Sequence, residues 1–288
     1  MLNIIITVLS IIIIICIWVM LYDGSRFVVS EYSFQDKRIR QKTRVVVLAD
    51  LHNKRYGKNN ERLVEAIRAC QPDMILVAGD LPTAKPGAKL DVAIHLLEEL
   101  ARDYPIYYGN GNHEHRMKLY PEKYGDMAKE YDKALKRLNV NLLVNAHMEL
   151  ADRGITIYGS VFDKFYYMRF KIQHMVQDYM EHILGQPVQE TYNILLAHNP
   201  DYFPQYAAWG ADLVLSGHVH GGMVRIPFIN KGVVSPNVRF FPEYDGGLFR
   251  REKSTMLLSR GLGMHTIPVR LFNPGEVLVI DLDKEDME

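Results

Sequence analysis

Residues 4–22 read IIITVLSIIIIICIWVMLY, nineteen positions without one charged side chain. A helix that is apolar on every side needs an apolar surrounding on every side, and a soluble core seldom offers that over such a length. As a helix the run is roughly 28 Å long at about 1.5 Å per residue, close to the hydrocarbon thickness of a bilayer. A cleaved signal peptide is the competing reading. Against it, Met1 to Asn3 supply no Lys or Arg, the run exceeds a usual apolar signal core, and no A-x-A-like site follows. The expectation is therefore one N-terminal transmembrane helix in residues 1–22, anchored in the lipid bilayer of a cell membrane as a single pass, with Trp18 and Tyr22 at the interface.

Flanking charge orients the anchor. Residues 23–44 hold six basic side chains (Arg26, Lys37, Arg38, Arg40, Lys42, Arg44) against Asp23, Glu31 and Asp36. By the positive-inside rule the bulk of the chain faces the cytoplasm, behind a basic juxtamembrane linker at 23–43. In the whole chain 34 Lys and Arg balance 34 Asp and Glu, so no basic footprint calls for a nucleic-acid partner. A nuclease would need basic and aromatic residues gathered in a groove, and the balance lends that no support. Two cysteines cannot form a stapling framework.

From Arg44 onward, short β-branched runs alternate with three-to-four-spaced patterns, the order of an α/β domain. The runs predict strands at 44–49, 74–78, 106–108, 155–159, 193–197, 212–216, 255–259 and 277–282; being nearly all apolar, they predict burial on both faces. Helices are expected at 60–70, 88–102 and 120–138. A further amphipathic helix is expected at 163–184, either packed on the core or serving as a lid that guides amphiphilic substrates.

The strand ends collect chemistry. The first expected strand runs into Ala49-Asp50-Leu51-His52, the second into Gly79-Asp80, the third into Gly111-Asn112-His113-Glu114, the fifth into His198 and the sixth into Gly217-His218-Val219-His220. Taken singly, a strand-end Asp usually caps the next helix. Together, blocks after the carboxyl ends of strands imply one pocket, where open α/β sheets place their ligand sites. Two carboxylates, an amide and four imidazoles suit a pair of divalent ions such as Mn, Fe or Zn better than a thiolate site does. Cys16 lies in the apolar run and Cys70 on a helical pattern, so neither joins them.

This succession resembles the full motif set of the calcineurin-like metallophosphoesterases, across nearly everything from 44 to 282. The extended Gly217-His218-Val219-His220-Gly221-Gly222, with Ser259-Arg260-Gly261-Leu262-Gly263 and Pro268-Val269-Arg270, is similar to a bacterial, membrane-associated branch that includes UDP-diacylglucosamine hydrolase-like phosphoesterases. The resemblance implies an α/β fold for residues 44–283, a two-sheet β-sandwich flanked by helices in four layers, α-β-β-α. It implies that Asp50, His52, Asp80 and His220 hold one ion, that Asp80, Asn112, His198 and His218 hold the other with Asp80 bridging, and that His113 acts on the substrate. The implied reaction is hydrolysis of a phosphomonoester, phosphodiester or pyrophosphate bond by a hydroxide shared between the ions, with a lipid-linked phosphoester as one candidate substrate. A catalytically silent membrane scaffold of the same fold is the alternative, and the complete ligand set argues against it. Leu81-Pro82-Thr83 follows Asp80 in place of the Asp and Arg-Gly of related protein phosphatases, so protein-phosphatase activity is not expected. Glu114 stands where many relatives have Asp, outside the implied ligand set.

Overall fold

A computed structural model describes residues 1–168, 171–236, 238–264 and 268–285. Its strands form two six-stranded sheets and a short ribbon. The first sheet runs, in spatial order, β1 (Phe27–Gln35), β14 (Gly275–Asp283), β2 (Thr43–Leu48), β3 (Met74–Ala78), β4 (Ile106–Gly109) and β5 (Asn141–Leu143). The second runs β12 (Gly247–Arg251), β13 (Ser254–Leu258), β9 (Leu213–Ser216), β8 (Tyr192–Leu196), β7 (Ile155–Gly159) and β6 (Ala146–Leu150). The ribbon pairs β10 (Arg225–Ile226) with β11 (Lys231–Gly232). Strands β2 to β5 are mutually parallel, as are β7, β8, β9 and β13.

The strands are apolar throughout because both faces of each sheet are covered. Val45 and Val47 on one face of β2 meet Ile155, Ile157, Leu213 and Leu215 between the sheets. Val46 and Leu48 on the opposite face meet Leu63 and Ile67 of α2 (Glu61–Ala69) and Leu96 and Leu97 of α3 (Asp91–Leu100), helices that follow α1 (Leu2–Ser25) in the chain. Next come α4 (Asn112–Leu119), α5 (Pro121–Tyr124) and α6 (Met127–Arg137); the single helix expected at 120–138 is broken at Gly125, whose φ is +59°. On the far face of the second sheet, Tyr158, Leu195 and Val214 pack with Met180 of α7 (Tyr179–Leu184) and Phe203 and Tyr206 of α8 (Phe203–Trp209). The layers are helix, sheet, sheet, helix, as the sequence reading expected.

The first helix stands apart. No apolar residue of α1 is fully buried; Cys16, Val19 and Met20 are partly covered, and Asp23 in its last turn is buried. It is long and apolar enough to cross a membrane.

Two expectations are corrected. Residues 23–43 are not simply a linker, because β1 pairs with β14 in parallel along nine residues, from Phe27↔Gly275 to Gln35↔Asp283. Val28, Ser30, Tyr32 and Phe34 are half-buried while Val29, Glu31, Ser33 and Gln35 are exposed, the period of a strand covered on one face. The basic residues thought to mark a linker are used in the fold: Arg38 Nη2 lies 2.7 Å from both Asp36 and Asp212, and Arg44 Nε lies 3.1 Å from Asp281. A chain beginning at Asp36 is therefore expected to melt about 6–12 °C below one beginning at Gly24. It loses the burial of Val28, Tyr32 and Phe34, at about 1 kcal/mol each when half-buried, and bares the β14 edge. Thermal unfolding followed by circular dichroism measures this, and equal midpoints would show that β1 adds nothing.

The second correction is the helix expected at 163–184. Only Tyr179–Leu184 is α-helical, preceded by a single 3₁₀ turn at Lys164–Tyr167; Arg169 and Phe170 lie outside the described residues. Adjacent Tyr166 and Tyr167 both pack toward Phe162, which neighbours on one helical face could not do. The run Phe165-Tyr166-Tyr167 is also rich in aromatic side chains that lose rotamer freedom in a helix.

Candidate metal centre

Six of the seven expected donors, Asp50, His52, Asp80, His198, His218 and His220, converge beyond the carboxyl ends of β2, β3, β8 and β9. Asp50 Oδ1 lies 3.3 Å from His220 Nε2, 3.5 Å from His52 Nε2 and 3.7 Å from His198 Nε2. Asp80 Oδ2 lies 3.0 Å from His198 Nε2 and 3.9 Å from His52 Nε2, and the Nε2 atoms of His52 and His220 are 3.1 Å apart. Donor atoms of Asp50, His52 and His220 fall within 4.8 Å of one another, and so do those of Asp80, His198 and His218 and of His52, Asp80 and His113. Asn112 is buried at the start of α4.

Each carboxylate is tied by one oxygen so that the other faces the cluster. Asp50 Oδ2 accepts the His218 backbone N–H at 2.9 Å, and Asp80 Oδ1 accepts the His113 backbone N–H at 2.7 Å. Glycine makes this approach feasible: a Cβ at Gly217 would stand 2.3 Å from Asp50 Oδ2, and one at Gly111 would stand 2.2 Å from Asp80 Oδ1. Asp50, His52, Asp80, His218 and His220 all have φ between +46° and +74°. Such conformations cost about 1–3 kcal/mol each and persist where the surroundings over-determine them, commonly at functional sites.

Glu114, which sequence reasoning set aside, supplies part of that determination. Its Oε2 accepts the backbone N–H groups of Asp80 and Gly111, both at 3.0 Å, and its Oε1 accepts Leu81 N–H at 3.1 Å and Tyr108 O–H at 2.5 Å. One carboxylate thereby clamps the loop carrying Asp80 to the loop carrying Asn112. Burial and neighbouring Asp80 push the Glu114 carboxyl up to about 8, against four hydrogen bonds that favour the anion. The clue in the sequence was only that an acid sits at the third position of a helix after Gly111, a place from which it can reach back to the preceding backbone.

The electrostatics call for a cation. A carbonyl can only accept, so His198 Nδ1, 2.6 Å from Ala78 O, carries a proton, and Nε2 is the nitrogen that faces Asp80 Oδ2. Burial disfavours the His198 imidazolium, yet Asp80 and Asp50 beside it push that ring up to about 10. Burial alone would raise the Asp50 carboxyl, but His220 and His198 hold it well below the carboxylate range. Burial and His198 drive His218 down, to the neutral imidazole that metals bind. Among the described residues no hydrogen bond of normal geometry reaches Asp50 Oδ1, Asn112 Oδ1 or His198 Nε2, all of them buried. Carboxylate, amide and imidazole lone pairs aimed at a common interior fit divalent metal ions.

His113 differs from the other rings. Its Nδ1 accepts Ala84 N–H at 2.8 Å, so in the neutral ring the proton sits on Nε2, which makes that atom a donor rather than a ligand. Next to the centre, a cavity of about 80 Å³ is lined by Asn112, Arg116, Tyr120, Lys164 and Tyr167, and the Tyr167 ring stands edge-on to His218 at 5.7 Å. A larger cleft of about 670 Å³, with Arg38, Trp209 and Asp212 in its walls, contains none of the donors.

Several known proteins are similar to this chain in sequence. An uncharacterized metallophosphoesterase of Campylobacter jejuni is 27% identical over 256 residues, 85% of this chain and 60% of the relative. One from Helicobacter pylori is 27% identical over 270 residues, 92% of this chain and 66% of the relative, so the chain spans less than two thirds of the length of both. A transmembrane protein with metallophosphoesterase domain from Danio rerio is 27% identical over 249 residues, 83% of this chain and 53% of that protein. Residues 43–222, more than half of the sequence and all seven donors, match the family described as calcineurin-like phosphoesterase, and the chain belongs to that family.

Proposed function

We propose that this chain is a membrane-anchored phosphoester hydrolase working with two divalent ions, Mn, Fe or Zn. Asp50, His52, Asp80 and His220 would hold one, and Asp80, Asn112, His198 and His218 the other. The observation that carries the reading is the position of Asp80, whose carboxylate belongs to the donor group of His198 and His218 and also to that of His52. Bound there, such ions would supply Lewis-acid polarisation of a phosphoryl group and a lowered pKa for a water nucleophile.

The side chains divide the remaining work. His113 offers its Nε2–H to a phosphoryl oxygen or to the departing oxygen. Arg116 and Lys164 bring two cationic groups to the adjacent cavity, with Tyr120 and Tyr167 as flat walls. That lining favours a substrate with a further anionic group beyond the bond cleaved, as in a phosphodiester or pyrophosphate. The apolar α1 and the likeness to a membrane-associated branch support a lipid-linked phosphoester.

The test is elemental analysis of metal-reconstituted full-length protein, together with hydrolysis of bis(p-nitrophenyl) phosphate in the presence of Mn. We expect two ions per chain and metal-dependent turnover; one ion or fewer would overturn the dimetal reading. The six basic residues after α1 support a cytoplasmic domain, so protease added to intact cells is expected to spare it. Ready digestion there would reverse the orientation.

A further inference from the structure

Among the described residues outside α1, the large apolar side chains that are most exposed gather in one stretch: Phe228 at 106%, Ile229 at 68%, Phe240 at 69% and Phe241 at 57% relative exposure. Single exposed hydrophobics need no explanation, but a contiguous group marks a contact surface. The backbone makes these residues contiguous. Phe228 and Ile229 form the tip of the β10–β11 ribbon, Phe240 bridges to Val234, and Phe241 N–H donates to Val233 O at 2.8 Å. On the other side Leu271 bridges to Val224, bringing Phe272 to the same small assembly.

The ribbon is held stiffly. Buried Arg225 donates to Gly221 O at 2.8 Å, to Asp245 O at 2.7 Å and to Asn230 Oδ1 at 2.9 Å, fixing the tip to its base. Its base is the metal loop itself, since His220 lies three residues before Met223, where the chain enters the ribbon.

Asn273 joins the ribbon to the anchor. Its backbone N–H donates to Asp23 Oδ2 at 2.9 Å, and its Nδ2 donates to His220 O at 2.7 Å. Asp23 is in the last turn of α1 and pairs with Arg26 at 2.8 Å, whose guanidinium lies 4.7 Å from the centre of the Tyr22 ring. The aromatic and basic residues that mark the end of an apolar span are thus tied through Asn273 to Met223 at the base of the ribbon and to the neighbour of Phe272. In its last turn, at Asp23, α1 is joined to the base of this assembly.

We propose that the β10–β11 ribbon, with Phe240, Phe241 and Phe272, forms a second membrane contact, seating Phe228, Ile229, Phe240 and Phe241 in the interfacial layer of the bilayer that α1 spans. The contact holds the mouth of the metal centre at the headgroup level, so the substrate class is a phosphoester carried by a membrane lipid. This rests on the anchor reading above and goes beyond it, because α1 alone does not say which face of the domain meets the bilayer.

The full-length chain in nanodiscs of mixed phosphatidylcholine and phosphatidylglycerol tests it. In a Cys16→Ser, Cys70→Ser background, one nitroxide label is placed at Ile229→Cys, at Ile11→Cys in α1 or at Lys129→Cys on α6, and its relaxation by oxygen is compared with that by a water-soluble nickel chelate. We expect the Ile229 label to resemble the Ile11 label, reached by oxygen and shielded from nickel. If Ile11 reads as immersed and Ile229 as aqueous like Lys129, the second contact is overturned while the anchor stands. If Ile11 also reads as aqueous, the anchor reading fails and takes this one with it. A label at Ile229 shielded from both relaxants would mean cover by protein, a second copy or a partner, and would equally overturn the lipid assignment. As a functional arm, Phe228→Ser with Phe240→Ser is expected to lower hydrolysis of a lipid-linked phosphoester in the same nanodiscs about tenfold, with bis(p-nitrophenyl) phosphate turned over at the unaltered rate. Unchanged rates on both substrates would contradict the proposal.

Discussion

Asp80→Asn is expected to lower phosphoester hydrolysis by about 10³-fold or more and to release bound metal, with the fold intact. The substitution isolates charge. Asparagine tolerates the left-handed backbone that Asp80 adopts at φ +57°, and its amide oxygen can still accept the His113 backbone N–H that Asp80 Oδ1 now takes at 2.7 Å. What disappears is the negative charge 3.0 Å from His198 Nε2 and 3.9 Å from His52 Nε2, on the carboxylate that belongs both to the group of His52 and His113 and to that of His198 and His218. Removing it leaves the His198 side of the centre without an anionic donor of its own, since Asn112 and His218 are neutral. Metal content per chain and turnover should fall together, with an unchanged circular dichroism spectrum. Near-normal turnover with metal retained would remove Asp80 from the centre.

What the sequence made legible follows from burial. The eight strands expected from apolar runs all exist within one or two residues of their expected ends, because each is covered on both faces and is mostly apolar. The strands that escaped notice are edges or near-edges. Four of five residues in β6 are exposed, β12 alternates unevenly, and β1 was hidden behind its charged neighbours. Edge strands mix polar and apolar residues, so their pattern fades into that of loops. At 163–184 the three-to-four spacing was real, but side chains on several faces are satisfied by different neighbours: Met175 and Met180 are buried while Phe165, Met168 and Ile172 stay exposed.

The donor blocks were legible for a different reason. Each lies within a few residues of a strand end, so its place in the fold followed from the strand order alone. The clamp by Glu114 was not legible, because its partners are backbone N–H groups of Asp80, Leu81 and Gly111, and a backbone donor leaves no mark in a sequence. Nor were the positive φ values at Asp50, His52, Asp80, His218 and His220, which ordinary propensities would forbid or disfavour.

His113→Ala is expected to lower turnover about 10²-fold while leaving the metal content near that of the unaltered protein. Two facts separate this ring from the ligands. Its Nδ1 is engaged by Ala84 N–H at 2.8 Å, so the neutral ring presents a proton at Nε2, and a protonated nitrogen cannot bind a metal. Its hold on the centre runs through the backbone, by the N–H donated to Asp80 Oδ1, and alanine keeps that N–H. Against this stands the proximity of His113 to His52 and Asp80, whose donor atoms with its own lie within 4.8 Å. Metal analysis of the variant decides between the two, since loss of an ion would make His113 a ligand. The choice of substrate then fixes its role. If His113 protonates the departing oxygen, the loss should be large for an alkyl phosphodiester, whose alkoxide needs a proton, and small for bis(p-nitrophenyl) phosphate, whose nitrophenolate leaves unaided. If it steadies charge on the phosphoryl oxygens, the two losses should match, because that charge develops whichever group departs.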